Sequence, residues 1–125
     1  MSYPRLFATP GVADFAELVD EERQAQLRKW GDQRHLNGTG RPGDRHLADY
    51  FRAVCKANGP LEDNWRDIAA EEAFELFAET GAEKMETELI QLAAVLAAWW
   101  YDIQRTKTER ASDAHSCAAP YPDER

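Results

Sequence analysis

The reading of one stretch decides the fold: Trp65-Arg66-Asp67-Ile68-Ala69-Ala70-Glu71-Glu72-Ala73-Phe74-Glu75-Leu76-Phe77-Ala78-Glu79-Thr80. Trp65, Ile68, Ala69, Leu76 and Phe77 fall on one side at helical spacing. Asp63 and Asn64 are good cap residues before it and Gly81 is a stop after it, so the pattern predicts a helix from Asp63 or Asn64 to Thr80. Carrying the stripe one turn past Ile68 and Ala69 lands on Glu72 and then on Leu76. Glu72 therefore interrupts the core-facing side, and Glu75 borders it.

Toward the C-terminus, Gly81-Ala82 is a connection short enough to make the next helix an antiparallel neighbour. That helix is expected from about Glu83 to Arg105, with Met85, Leu89, Leu92, Leu96, Trp100 and Ile103 on one stripe and alanines, Val95 and Trp99 on its other sides. An element apolar nearly all round belongs at the centre of a bundle or in a subunit interface. Glu88 lies beside its main stripe, in line with Gln91, Val95 and Trp99, so Glu72, Glu75 and Glu88 can meet between the two helices.

Such a meeting is costly without a counter-charge, because two carboxylates ~6 Å apart at an effective dielectric of ~20 repel by about 3 kcal/mol. Spacing alone leaves two readings open. One is a solvated acidic helix face with no ligand. The other is an inward cluster suited to a hard, oxygen-seeking ion, Mg²⁺ or its alternative Mn²⁺, with water and phosphate oxygens completing the shell.

Toward the N-terminus, a second helix is expected to begin with Asp44 as cap and to stop at Asn58-Gly59-Pro60, carrying Leu47, Tyr50, Phe51, Val54 and Cys55 on one side. The glycine-rich run from Gly31 to Asp44 is a long loop. A first helix is expected from about Asp14 to Trp30. The fold class is thus all-α, a four-helix arrangement with no alternating strand pattern. Residues 1–13 form a leader, 14–105 the helical domain, and 106–125 a tail with little to bury and a mobile, disordered character.

The whole chain, 125 residues, has the size of one domain. Its net charge of -8 argues against tracking nucleic-acid phosphates directly. The apolar run from Leu89 to Tyr101 falls short of the ~20 residues a bilayer needs. Met1 to Arg5 lacks a signal-peptide pattern, so a cytoplasmic location is expected. Cys55 and Cys117 lie in unlike contexts and read as free thiols. His35, His46 and His115 have no carboxylate or cysteine partner at useful spacing. Trp30 precedes the glycine-rich loop, where it would stack on a nucleobase or pin the loop.

Glu71, Glu72 and Glu75 as EExxE, a spacer from Leu76 to Thr87, and Glu88 opening a second half resemble the signature EExxE, spacer, ExxD of the MazG-like all-α nucleoside triphosphate pyrophosphohydrolases. The flanks Trp65-Arg66-Asp67-Ile68, Glu88-Leu89-Ile90-Gln91 and Arg28-Lys29-Trp30-Gly31-Asp32-Gln33 are similar to the family's small stand-alone actinobacterial and phage forms. The resemblance covers about residues 17 to 105. It implies a MazG-like bundle completed by oligomerisation into a homodimer or homotetramer. It also implies hydrolysis of a nucleoside triphosphate to the monophosphate and pyrophosphate.

By the same resemblance, Glu72, Glu75 and Glu88 ligate Mg²⁺, and Glu71 is a further ligand or the base for the attacking water. Gln91 departs from the pattern, standing at the last metal position as a neutral amide where the family has Asp. Lys29, Arg66 and Lys84 are the basic residues nearest in sequence that could hold the far phosphates. The departure at Gln91 supports the alternative expectation, a non-catalytic helical protein that binds nucleotide or metal as a partner or regulator.

Overall fold

The structure, a computed structural model, describes residues 6–116. Four helices follow one another, α1 Val12–Trp30, α2 Asp44–Glu62, α3 Trp65–Ala78 and α4 Ala82–Ser116, and no strand occurs among the described residues. The all-α expectation holds. No described helix is long and apolar enough to cross a membrane.

Several element ends differ from those expected: α1 begins at Val12 rather than near Asp14, and α3 stops at Ala78, with Glu79 as its cap, two residues before the expected Thr80. Gly43, rather than Asp44, occupies the cap position of α2, and it makes no side-chain cap bond. Gly59 breaks α2 with a φ of 69° as expected, yet a further turn through Pro60 to Glu62 follows the kink, and Asp63 N–H donates back to the Gly59 carbonyl at 3.1 Å. The largest difference is in α4, which runs eleven residues beyond Arg105, to Ser116, so the expected disordered tail is helical from Thr106 to Ser116. Lys107, Glu109, Arg110, Ala111 and Ala114 are good helix formers and neither Gly nor Pro interrupts them, and the hydroxyls of Thr106 and Thr108 turn back onto the carbonyls of Asp102 and Gln104 at 2.9 and 3.1 Å. Residues 117–125 of that tail, Cys117 among them, and residues 1–5 of the leader lie outside the described residues.

The central element is α3, which packs against α2 on one side and α4 on the other, while α1 packs on α4. Between α2 and α3, Phe51 stacks on Phe74 with centroids 5.5 Å apart, and Phe74 meets Phe77 edge-on. Between α3 and α4, Leu76 and Met85 are buried, and the Trp65 indole N–H donates to Asp102 Oδ2 at 2.8 Å. The loop before α2 is pinned to the same seam, because Gly40 N–H donates to the Phe77 carbonyl at 2.7 Å. Gly40 has a φ of 76°, and a Cβ there would stand 2.6 Å from Thr80 Cγ2, so both conformation and space call for glycine.

Burial is thin for a chain of this length. Among the described residues Ala48, Leu76 and Met85 are the buried apolar ones, and α1 contributes none. α1 is held to α4 by Phe15 against Trp100, centroids 5.7 Å apart. Beside them runs an open groove of about 930 Å³ with Phe15, Val19, Ala93 and Ala97 on its walls. α4 is enclosed by its neighbours along only part of its surface, and Ile90 remains 71% exposed and Leu89 52% exposed.

Candidate metal centre

The turn Glu79-Thr80-Gly81 reverses the chain between α3 and α4, with Glu79 N–H closing onto the Leu76 carbonyl and Met85 N–H onto Gly81. This reversal sets Leu76 beside Met85 and, one turn farther from the turn, Glu72 beside Glu88. One carboxylate oxygen from each of Glu72, Glu75 and Glu88 lies within 4.8 Å of the others. All three residues are half-buried. Glu72 Oε2 and Glu88 Oε2 are fully enclosed and make no hydrogen bond within the protein. Buried oxygens without partners are rare and expensive, and the three glutamates together could hold a metal ion.

The electrostatics agree. Burial first, then the charges of Glu75, Glu71 and Glu88, pushes the Glu72 carboxyl above its usual range, with Arg52 opposing. Burial and the charges of Glu75 and Glu79 do the same to Glu88. An all-carboxylate donor set of this kind fits a hard divalent cation, which accepts oxygen ligands of high negative charge and would satisfy both orphaned atoms.

Glu71 lies at the edge of the group, 3.8 Å from Arg52 Nε. The Cys55 thiol beside it is pushed up to about 12, by burial first and then by its hydrogen bond to Glu71 and the charge of Asp63. It is therefore an inert thiol at neutral pH. Gln91 is exposed on α4, one turn past Glu88.

The other expected substrate residues are dispersed. Lys84 is exposed one turn before Glu88. Arg66 is exposed at the start of α3, paired with Asp67 at 3.2 Å. Lys29 lies over the Trp30 ring at 4.8 Å at the end of α1, in a shallow cleft whose walls all come from α1 and the residues after it. The structure thus assembles the glutamates and leaves Lys29, Trp30 and Arg66 outside the cluster.

Two basic residues that sequence reasoning passed over do reach the acids. Arg52 donates from Nη2 to Glu75 Oε1 at 2.6 Å, and Arg45 from Nη2 to Glu79 Oε1 at 3.4 Å. Glu71 and Glu75 are one turn apart on α3 and Glu79 follows as the extended cap residue after it; Arg45 and Arg52, two turns apart on α2, pair with this row. The available signal was that Arg45, Ala48, Arg52 and Cys55 share one helical stripe, on which the structure buries Ala48 completely.

No family profile, no characterised protein and no solved structure matches this chain.

Proposed function

We propose that this protein is a Mg²⁺-dependent nucleoside triphosphate pyrophosphohydrolase, converting an NTP or dNTP to its monophosphate and pyrophosphate, with Mn²⁺ able to replace Mg²⁺. One observation carries the reading: three glutamates from two helices converge within 4.8 Å, and two of their buried oxygens have no partner. The order of those residues along the chain, EExxE, a spacer and a further Glu, supports it through the MazG-like resemblance.

In this reading Glu72, Glu75 and Glu88 hold the cation and Glu71, at the rim, accepts the proton of the attacking water. When bound, Mg²⁺ supplies charge neutralisation for the phosphates and lowers the pKa of water. Without it the same carboxylates would repel a polyphosphate. Lys84, one turn from Glu88 on an exposed face, is the sequence-derived basic residue best placed to meet the outer phosphates. A homodimer or homotetramer is part of the proposal, because the groove between α1 and α4 and the exposed Leu89, Ile90, Leu96 and Ile103 form an apolar face larger than a monomer of this size gains from leaving in water.

A panel of triphosphates incubated with the protein and Mg²⁺, with pyrophosphate and orthophosphate measured separately, tests the reaction. Pyrophosphate from the parent and none from Glu72→Gln is the expected result. Orthophosphate would mean cleavage at another bond. Bound Mg²⁺ with no product would favour the second reading, a non-catalytic nucleotide- or metal-binding partner, for which the neutral and exposed Gln91 is the specific observation.

A further inference from the structure

The acidic line Glu71, Glu75, Glu79 already carries counter-charges, and they come from α2. Arg52 bridges Glu75 and Glu71 and lies 3.5 Å from Asp49, with 55% of its side chain in water. A pair this exposed is held weakly. Its guanidinium nevertheless sits on the one carboxylate shared between the outer acidic line and the inner cluster, because Glu75 belongs to both. The inner oxygens of Glu72 and Glu88 gain no hydrogen bond from it. Arg52 therefore occupies the rim of the cluster and leaves its interior unfilled.

We infer that Arg52, with Arg45 two turns away, is the phosphate clamp of this site, and that it serves as the site's internal counter-ion until a cation and a polyphosphate arrive together. The inference rests on the metal reading proposed above. Glu75 cannot give its full charge both to a guanidinium at 2.6 Å and to a divalent ion, so the two cations compete for it. Arginine is the side chain whose planar fork matches phosphate oxygens, and an exposed arginine at the rim of a carboxylate site can swing from one anion to the other without crossing the core. Arg45 on Glu79 at 3.4 Å adds a second guanidinium to the same rim.

The two roles have opposite signs, which makes the inference testable by calorimetry on the full chain with two probes. The first probe is Mg²⁺ alone, and the second is inorganic pyrophosphate in saturating Mg²⁺. Arg52→Gln removes a competitor and a repelling charge, so Mg²⁺ should bind about three- to tenfold tighter. The same variant loses a bidentate contact, so pyrophosphate should bind about tenfold weaker. Arg52→Lys keeps the charge and loses the fork; Mg²⁺ affinity should stay at the parent value while pyrophosphate affinity falls part of the way. An interhelical tie with no other role predicts a lower Tm and unchanged binding of both probes, and that result overturns the inference while leaving the metal site standing. Weakening of both probes together also overturns it, since Arg52 would then be shaping the cluster. A parent protein that binds no Mg²⁺ removes the metal reading, and this inference with it.

Discussion

Asp67 and Glu72 stand five residues apart on α3, both away from open solvent, and their surroundings are opposite. Asp67 accepts from the side chains of Asn64 at 2.8 Å and Asn58 at 3.0 Å, and the Asn64 side chain in turn caps the Asp67 N–H. These bonds, with Arg66 adding to them, hold its carboxyl below the usual range. Asp102, bonded by the Trp65 indole and Arg105, is held low for the same reason. About a turn and a half along the seam, Glu72 and Glu88 have buried oxygens with no donor and acid neighbours, and their carboxyls are pushed up. One end of α3 uses carboxylates to join helices. Farther along, Glu75 has a partner in Arg52 of α2, while the enclosed oxygens of Glu72 and Glu88 have none, an arrangement that costs stability.

The sharpest way to break this contrast is to remove charge from the seam. Glu72→Gln or Glu75→Gln should reduce Mg²⁺-dependent turnover on the order of 100-fold or more, while the Tm of Glu72→Gln stays level or rises because repulsion is relieved and that of Glu75→Gln, which also weakens the exposed pair with Arg52, stays close to the parent. Melting of both variants well below the parent would make the glutamates structural and erase the difference between the two ends.

Adding Mg²⁺ approaches the same contrast from the other side. At a hundredfold excess over Kd it should stabilise the parent by about 2.7 kcal/mol, read as a rise in Tm in a thermal scan. Glu88→Gln should lose most of that rise, and a variant at the other end of α3, Asn64→Ala, should keep it all.

Gln91→Asp sharpens the boundary of the seam. If this position contributes to the metal, a charged oxygen there should lower the Mg²⁺ concentration for half-maximal activity about tenfold. Unchanged metal dependence, with Glu88→Gln abolishing turnover, would put Gln91 outside the ligand set.

Asn64→Ala measures the stabilising end by itself. Losing a side-chain cap costs about 1 kcal/mol. Chemical denaturation should show that loss with Mg²⁺ affinity intact.

The smallest effect is in the pH dependence of the metal-free protein. Asp67 and Asp102, lowered from an ordinary 3.8, contribute stability that is present above that value and lost as pH falls through their folded-state range. Glu72 and Glu88, raised from an ordinary 4.5, do the reverse: below that value they cost nothing, and stability falls as pH rises through their folded-state range. Stability should therefore decline on the alkaline side of about pH 4.5 in metal-free buffer. Glu72→Gln or Mg²⁺ should flatten the decline. A parent curve with no such decline would show the seam carboxylates to be satisfied after all.

The sequence carried the four helices, because apolar spacing, Asn64 as a cap and the punctuation at Gly31 and Gly59 are local properties of the chain, although α3 stops at Ala78, before the stop expected at Gly81. It also carried the phase of Glu72 against Leu76 and the pairing of Glu72 with Glu88 across a short turn. It misjudged the end of α4, where polarity after Arg105 reads as a tail although Thr106 to Ser116 contains nothing that stops a helix. Low hydrophobicity reports lack of burial, and a helix end can continue without it.

What only the tertiary structure decided is which cations face the acids. Lys29, Arg66 and Lys84 are near the motif or its flanks along the chain, but Arg45 and Arg52 reach Glu79 and Glu75 from 34 and 23 residues away. That meeting depends on how α2 returns along α3, which is set by Phe51 on Phe74, the kink at Gly59 and the Asn58–Asp67 bond acting together. It depends equally on burial, since two enclosed oxygens without donors are a property of packing from both helices at once. Spacing along one chain fixes the direction of a side chain from its own helix; the charge it meets is fixed by its neighbours.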